Sequence, residues 1–408
     1  MFIARQPIFD KSMKIYGYEL LYRADVHAEE FRDTSATSAT ASVFGCLFEQ
    51  GMSQIVGNAK AFVNFDYDFI MSDTIELVPS DSLVIEVLET VKVDDYLMKR
   101  LKYLKGKGYK IALDDYDKSI FYPIAPIADI VKFDIINTPL DTIRYDVGQA
   151  ISHNKIVLAE KVETEDEFHK AADMGFHLFQ GFFFSKPKII AKSDVKNYST
   201  AQYYRILQEL NEEEPSFNKI ASIIVSDVNL SYRLLRAMSN KGRKDTFNSV
   251  KLALQYMGLI ELERWIHVLM LQAISKDKPL ELMRMSLVRA KFGEYIAIHS
   301  KFRNRKDEVY TMCLFSVLDA MLDQTMDEAL KNILISDDIY DSLVYQKGDL
   351  APILKLIILY EQGNWIDVNK YTDIIGIDPN KLLQGYLNAV QWAADVLVTF
   401  WTILFILF

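Results

Sequence analysis

The apolar run Ile111-Ala112-Leu113 ends in two adjacent carboxylates, Asp114 and Asp115. Like charges at the rim of a core repel and raise each other's pKa unless a cation lies between them. The pattern recurs along the first half of the chain. AFVNF ends near Asn64, LVIEV ends at Glu86, and DIVKFD supplies Lys132 and Asp134. IVLAEKVE supplies Glu160 and Glu163, HLFQGF supplies Gln180, and YGYELLYR upstream offers Glu19 and Arg23. Oxygen donors of this kind point to a hard divalent ion, Mg²⁺, Mn²⁺ or Ca²⁺, and not to zinc. Two such ions among carboxylates suit in-line attack of water on a phosphodiester, because they activate the nucleophile and stabilise the leaving oxygen. Any one of these residues alone is most often a helix cap or a solvated loop residue. The expectation of a site rests on the whole set, with Lys132 in it.

Residues so far apart in sequence meet only if their elements converge. Between Glu86 and Asp114, DYLMKRLKYLKGKGYK places Tyr96, Leu97, Leu101 and Leu104 at helical spacing, with Gly106 or Gly108 to end the helix. Strand, helix and strand in repetition imply right-handed crossovers and a largely parallel sheet. Closure into a barrel is the preferred arrangement, since it brings the strand ends to one face; an open doubly wound sheet is the alternative. MFIARQPIFD has no basic region leading into an apolar core, so it reads as a first strand and not as a signal peptide.

From about residue 200 the rhythm changes. SVKLALQYMGL places Val250, Ala253, Leu254 and Met257 on one helix stripe, with Ser249 or Asn248 as cap. FNKIASIIVSDV and LSYRLLRAMSN read as two further short helices. The join falls near Pro187, in SKPKIIAKSDVKNYSTAQ. The expected organisation is a barrel over 1–190, a linker over 191–204 and an all-helical domain over 205–408.

The chain of 408 residues is 50% hydrophobic and 25% charged, ordinary globular composition with room for two or three domains. A net charge of −10 argues against a duplex-DNA binder, which needs a basic face. The two cysteines, Cys46 and Cys313, make no CxxC and no disulfide framework, so a reduced, cytoplasmic setting is expected. The end, VLVTFWTILFILF over 396–408, is uncharged but shorter than the roughly 20 residues of a spanning helix. A buried terminal helix or a self-association surface is favoured there over a membrane contact.

At its acidic strand ends the sequence resembles the EAL-domain family, which hydrolyses cyclic di-GMP. Glu19-Leu20-Leu21-Tyr22-Arg23 fits the ExLxR signature, with ELL standing for EAL. VNF, IEVLE, ALDDYD, VKFD, AEKVET and QGFFFSKP follow in family order over roughly residues 1–190. IIVSDVNLSYRLLRAMSN followed by VKLALQYMG is similar to the HDOD domain, an HD-related output module. The resemblance implies an α/β domain, a modified TIM-type barrel, joined to an all-α HDOD domain, with hydrolysis of cyclic di-GMP to the linear dinucleotide. It implies Glu19, Asn64, Glu86 and Asp114 as metal ligands, with Asp115 on a second Mg²⁺ or Mn²⁺ ion. Lys132 then stabilises or orients the attacking water, Glu160 is the general base, Glu163 ties down the loop after Asp115, and Gln180 holds a water. Arg23 pairs with a substrate phosphate, as a guanidinium fork does well, and Leu21 shares that substrate contact.

Three departures stand out. The family's DDFGTG is DDYDKS here, with Asp117 and Ser119 at the two glycines; the Thr of ExTE is Leu88; the Gly of AEGVE is Lys161. Supporting residues of this kind matter nearly as much as ligands, and the changes keep open an impaired barrel that acts as nucleotide receptor or protein adaptor. None of the six histidines is followed by Asp, so the helical half lacks the HD-hydrolase dyad. His267 and His299 are expected as packed or surface residues. That half reads as a module for a protein partner, with a homodimer also open.

Overall fold

Period-two alternation along eight short strands builds a closed barrel. In the computed structural model the described residues are 2–23, 55–88, 90–114, 123–186, 198–239, 250–274, 278–331, 333 and 335–405. The strands are β1 (Phe2–Asp10), β2 (Ile15–Arg23), β3 (Lys60–Phe65), β4 (Leu83–Val87), β5 (Lys110–Leu113), β6 (Ile130–Asp134), β7 (Ile156–Glu160) and β8 (Leu178–Gln180), closed in sequence order. From β2 to β8 every pairing is parallel. The first strand departs from that expectation: β1 is antiparallel to both β2 and β8. The cause is the short connection to β2, where the Asp10 carboxylate accepts bonds from the Ser12 and Lys14 amides and Met13 adopts φ 59°. A turn this tight joins only antiparallel strands.

One interior layer is apolar. Ile8, Phe62, Val84, Ala112, Ile130, Leu158 and Leu178, one from each of seven strands, pack together. The eighth strand, β2, contributes Gly17 at the level of Phe62. A Cβ at Gly17 would lie 2.7 Å from the Phe62 ring and 2.8 Å from the Lys60 carbonyl oxygen. Gly17→Ala is therefore expected to cost about 1–3 kcal/mol by overpacking, read as a lower urea midpoint at unchanged slope.

Helices α1 (Tyr67–Met71), α2 (Asp95–Gly106), α3 (Leu140–Ser152) and α4 (Glu165–Met174) flank the barrel. Helix α2 is capped by Asp94, which accepts from the Leu97 amide, and buries Leu97, Leu101 and Leu104. Tyr96, expected on that stripe, is 69% exposed, because its neighbour Leu97 already occupies the inward position of that turn.

The second half holds α5 (Tyr198–Leu210), α6 (Phe217–Val225), α7 (Val228–Ser239), α8 (Val250–Met257), α9 (Leu259–Ile274), α10 (Leu280–Ile298) and α11 (Lys306–Leu314). It continues with α12 (Leu318–Leu322), α13 (Met326–Leu330), α14 (Asp337–Val344), α15 (Ala351–Glu361), α16 (Trp365–Ile375) and α17 (Leu382–Phe405), with no strand among the described residues. Helix α8 buries Ala253, Leu254 and Met257; the expected caps Asn248 and Ser249 lie outside the described residues. Residues 198–204, expected as linker, form the first turns of α5, and Pro187 lies outside the described residues.

The two halves share one buried apolar cluster. Phe2 of β1 stacks on Trp365 with ring centroids 5.3 Å apart and meets Tyr360 edge-on at 5.9 Å. Leu397 of the long last helix is buried while Val398 is 65% exposed. Among the described residues no helix is long and apolar enough to cross a membrane.

His267 is buried against Phe315, with Nδ1 unpartnered among the described residues. Burial pushes its pKa down from 6.5 to about 4. Below pH 6.5 the unfolded imidazole binds a proton that the folded one refuses until about pH 4, so folding loses roughly 3 kcal/mol across that window. His267→Leu is expected to flatten the dependence of urea midpoint on pH between 7 and 4. His299 caps its own helix, with Nδ1 2.9 Å from the Tyr295 carbonyl.

Candidate active site

Two residues beyond the apolar layer, on the same inward face of each strand, the barrel turns polar. Phe62 is followed at that spacing by Asn64, Val84 by Glu86, Ala112 by Asp114, Ile130 by Lys132, Leu158 by Glu160 and Leu178 by Gln180. Gly17 leads likewise to Glu19. On β1, which runs the other way, the corresponding step from Ile8 leads back to Gln6. This second layer lies at the carboxyl ends of the parallel strands, where barrel active sites are built.

Lys132 stands at its centre and is fully buried. Its Nζ donates to Asp114 Oδ1 at 2.6 Å and lies 2.8 Å from both Glu86 Oε1 and Glu160 Oε1, and 3.6 Å from Glu19 Oε2. Gln180 donates its amide to Glu19 Oε2 and, at 3.1 Å, to Gln6 Oε1. Asn64 donates to Glu19 Oε1 at 3.2 Å. These bonds leave acceptors over. Asn64 Oδ1, Gln180 Oε1 and both oxygens of Glu86 are buried without a hydrogen-bond partner among the described residues. The 2.8 Å approach of Lys132 to Glu86 Oε1 is an ion-pair contact whose direction is poor for a hydrogen bond.

One ammonium cannot neutralise four carboxylates. Burial, opposed by Lys132 and reinforced by Glu19 and Asp114, holds Glu86 well above the ordinary carboxylate range. Burial is also the main cause that pushes Glu160 up to about 8, against the pull of Lys132. Burial works against the charge of Lys132, but the carboxylates around it, Glu160 foremost, raise its pKa well above the usual lysine value. Orphaned buried oxygens around a carboxylate cluster are a donor set for a hard cation. Among the described residues the carboxylates do not by themselves form a metal-ligating group of three; the Lys132 ammonium stands between them.

The expected set thus divides. Glu19, Asn64, Glu86, Asp114, Lys132, Glu160 and Gln180 come together. Asp115, with Asp117 and Ser119, lies outside the described residues. Glu163 is apart from the cluster, its exposed carboxylate paired with Lys186 at 3.1 Å; the loop it is expected to hold lies outside the described residues. Arg23 ends β2, half-buried. Leu21 is half-buried against the helical half, where a Cβ on Gly363 would lie 2.9 Å from its Cδ1. Asp134 turns to local work, accepting from the Ile136 and Asn137 amides and from Lys161 Nζ at 2.6 Å. Gln6 is the member that sequence reading missed; its signal is the alternation of FIARQPIF, read backwards from Ile8. A cleft of about 890 Å³ lies elsewhere, between the β1–β2 turn and α10, lined by Lys14, Phe168, Phe183, Lys278 and Arg284 among others. The chemistry belongs to the small polar layer, since the cleft holds none of its residues.

Fold and site together define a two-domain protein: a closed barrel with an acidic, lysine-centred mouth, carrying a helical domain on its first strands. A family model for the HDOD domain matches residues 199–336. Over 402 residues the chain is 31% identical to the cyclic di-GMP phosphodiesterase CdgJ of Vibrio cholerae, covering 97% of this chain and 93% of that protein. It is 29% identical over 411 residues to the uncharacterised protein YuxH of Bacillus subtilis, covering 97% and 99%. Among solved structures, the Bacillus subtilis YkuI protein, with an EAL domain and bound to cyclic di-GMP and calcium, is 19% identical at a TM-score of 0.39, covering 55% of this chain and 72% of that one. The chain belongs to the EAL–HDOD family.

Proposed function

We propose that the barrel hydrolyses cyclic di-GMP to the linear dinucleotide with the help of Mg²⁺ or Mn²⁺, and that the helical domain is an interaction and regulatory module. The observation that carries this reading is the set of buried oxygens on Asn64, Glu86 and Gln180, unpartnered among the described residues, beside Glu19 and Asp114. The name of the Vibrio cholerae relative supports the substrate. Glu19, Asn64, Glu86 and Asp114 would hold the divalent ion, with Asp115 serving a second. When bound, such ions acidify water and offset charge at the phosphodiester.

The chain's own groups do the rest. Glu160, at the end of β7 and 2.8 Å from Lys132 Nζ, is placed to take a proton from the attacking water. Lys132 keeps its proton and supplies a fixed positive charge beside the phosphorus centre. Gln180 holds Glu19 in place through its amide, and Arg23 is placed at the strand end to pair with a phosphate oxygen.

The test is chromatography of the products after purified protein is incubated with cyclic di-GMP and Mn²⁺. Linear dinucleotide is expected, and turnover no greater than that of Glu19→Ala would remove the enzymatic reading. A nucleotide receptor is the second reading. It is supported by Lys161, which stands next to Glu160 with φ 58°, a backbone region that favours glycine, and is tied to Asp134. Calorimetry separates the two: tight binding without product marks a receptor.

A further inference from the structure

Successive side chains of a strand point to opposite faces. On β2, Glu19 faces the pocket and Tyr18, the residue before it, faces out. There Tyr18 is 2% exposed and bonded across the domain boundary. Its hydroxyl donates to Glu281 Oε2 at 2.9 Å and accepts from Arg284 Nη1 at 2.6 Å, both residues lying on α10. Arg284 also donates to Glu281 at 2.7 Å, so the three groups close a triangle, buried at Tyr18 and Glu281 and half-buried at Arg284. Arg5 of β1 lies over the Tyr18 ring at 4.5 Å from its centroid, and its neighbour in the strand, Gln6, faces the pocket and receives Gln180. The helical domain therefore grips the outer face of the two strands whose inner faces carry Gln6 and Glu19.

We propose that Tyr18, Glu281 and Arg284 are positioning residues for Glu19: helix α10 fixes the strand, and the strand fixes the carboxylate. A buried polar group is worth most when fully satisfied and is costly when one partner is lost, so the triangle resists sliding of β2 against α10. The metal-binding consequence rests on the function proposed above; the mechanical one does not.

Tyr18→Phe is the sharpest probe, because it cuts both bonds across the boundary while leaving the Glu281–Arg284 pair and the ring packing. Hydrogen exchange of the full-length, metal-free protein is the first readout. Amides of residues 15–23 are expected to exchange roughly tenfold faster, while those of 83–87 and 130–134 stay at the wild-type rate. The second readout is the affinity for Mn²⁺ alone, expected to fall roughly tenfold, as for other residues that orient a ligand. Glu281→Leu, which removes the acceptor while keeping a side chain of similar bulk, should repeat both changes in a variant of independent design. Faster exchange in all strands alike would mark general destabilisation and overturn the proposal, as would unchanged exchange at 15–23. Wild-type protein that binds no Mn²⁺ would remove the pocket reading, while the exchange result would still decide the joint.

Discussion

Lys132→Met is expected to abolish turnover and to destabilise the metal-free protein. The ammonium is fully buried and lies within 2.6–3.6 Å of Asp114, Glu86, Glu160 and Glu19. Removing one side of a buried ion cluster leaves uncompensated charge, at a cost of about 3–5 kcal/mol. The carboxylates can respond by keeping protons, so the loss depends on pH, and the sign is fixed. A carboxyl whose folded pKa lies above its unfolded value binds more protons folded than unfolded, so stability falls as pH rises from the unfolded value towards the folded one. The deficit of Lys132→Met relative to wild type should thus deepen as pH rises, because without the ammonium the carboxyls of Glu160 and Glu86 hold their protons to higher pH than they do beside Lys132. Added Mn²⁺ should restore part of the melting temperature by replacing the missing charge. It should not restore hydrolysis, expected to drop at least a hundredfold, on the order of the loss of one electrostatic group in an active site. Thermal melts at several pH values, with and without Mn²⁺, are the check. A variant that melts like wild type at pH 8 without metal would show that the cluster is not electrostatically coupled.

Glu86→Gln should act in the opposite direction on stability and in the same direction on activity. Glu86 is completely buried and neither of its oxygens accepts a hydrogen bond among the described residues. Burial already disfavours its charge, so an uncharged amide of the same shape removes a penalty. Metal-free Glu86→Gln is expected to be as stable as wild type at pH 7.5, or more stable by on the order of 1 kcal/mol. The stabilisation by Mn²⁺ should shrink sharply, because stabilisation by a ligand tracks its affinity, and hydrolysis should fall at least about a hundredfold. Paired melts with and without Mn²⁺ decide it. A metal-free variant that melts well below wild type would show that Glu86 contributes as a charge partner of Lys132 and not as a waiting ligand.

Much of the pocket was legible because a strand has a period of two and each strand is short. Once IAL-D, IVK and IVLAE are read as buried strands, their inward polar residues are placed at one level without knowledge of any loop. Gln6 escaped because its strand runs backwards, and the sign of that direction is written only in the tight turn at Asp10 to Lys14. Glu163, expected to hold the loop after Asp115, sits on the exposed side of its turn beside Lys186, and Leu21, expected at the substrate, meets the Gly363 turn. Tyr96 was misplaced by a helical stripe drawn one residue too wide. The joint between the halves was illegible, since Tyr18 and Glu281 are 263 residues apart, and nothing in either local pattern marks the other as a partner. The helices themselves were readable from their apolar spacing, as α6, α7 and α8 show.

The stacking of Phe2 on Trp365 sets an order of events during synthesis. The first strand leaves the ribosome first, but its inner edge cannot close until Leu178 to Gln180 have emerged to pair with it. Phe2 on this strand and Tyr18 on its neighbour cannot be covered until Glu281, Tyr360 and Trp365 follow. For most of translation the nascent barrel therefore carries a wet aromatic flank, the condition under which chains seek chaperones or one another. A chain that stops before the helical half retains that flank for good.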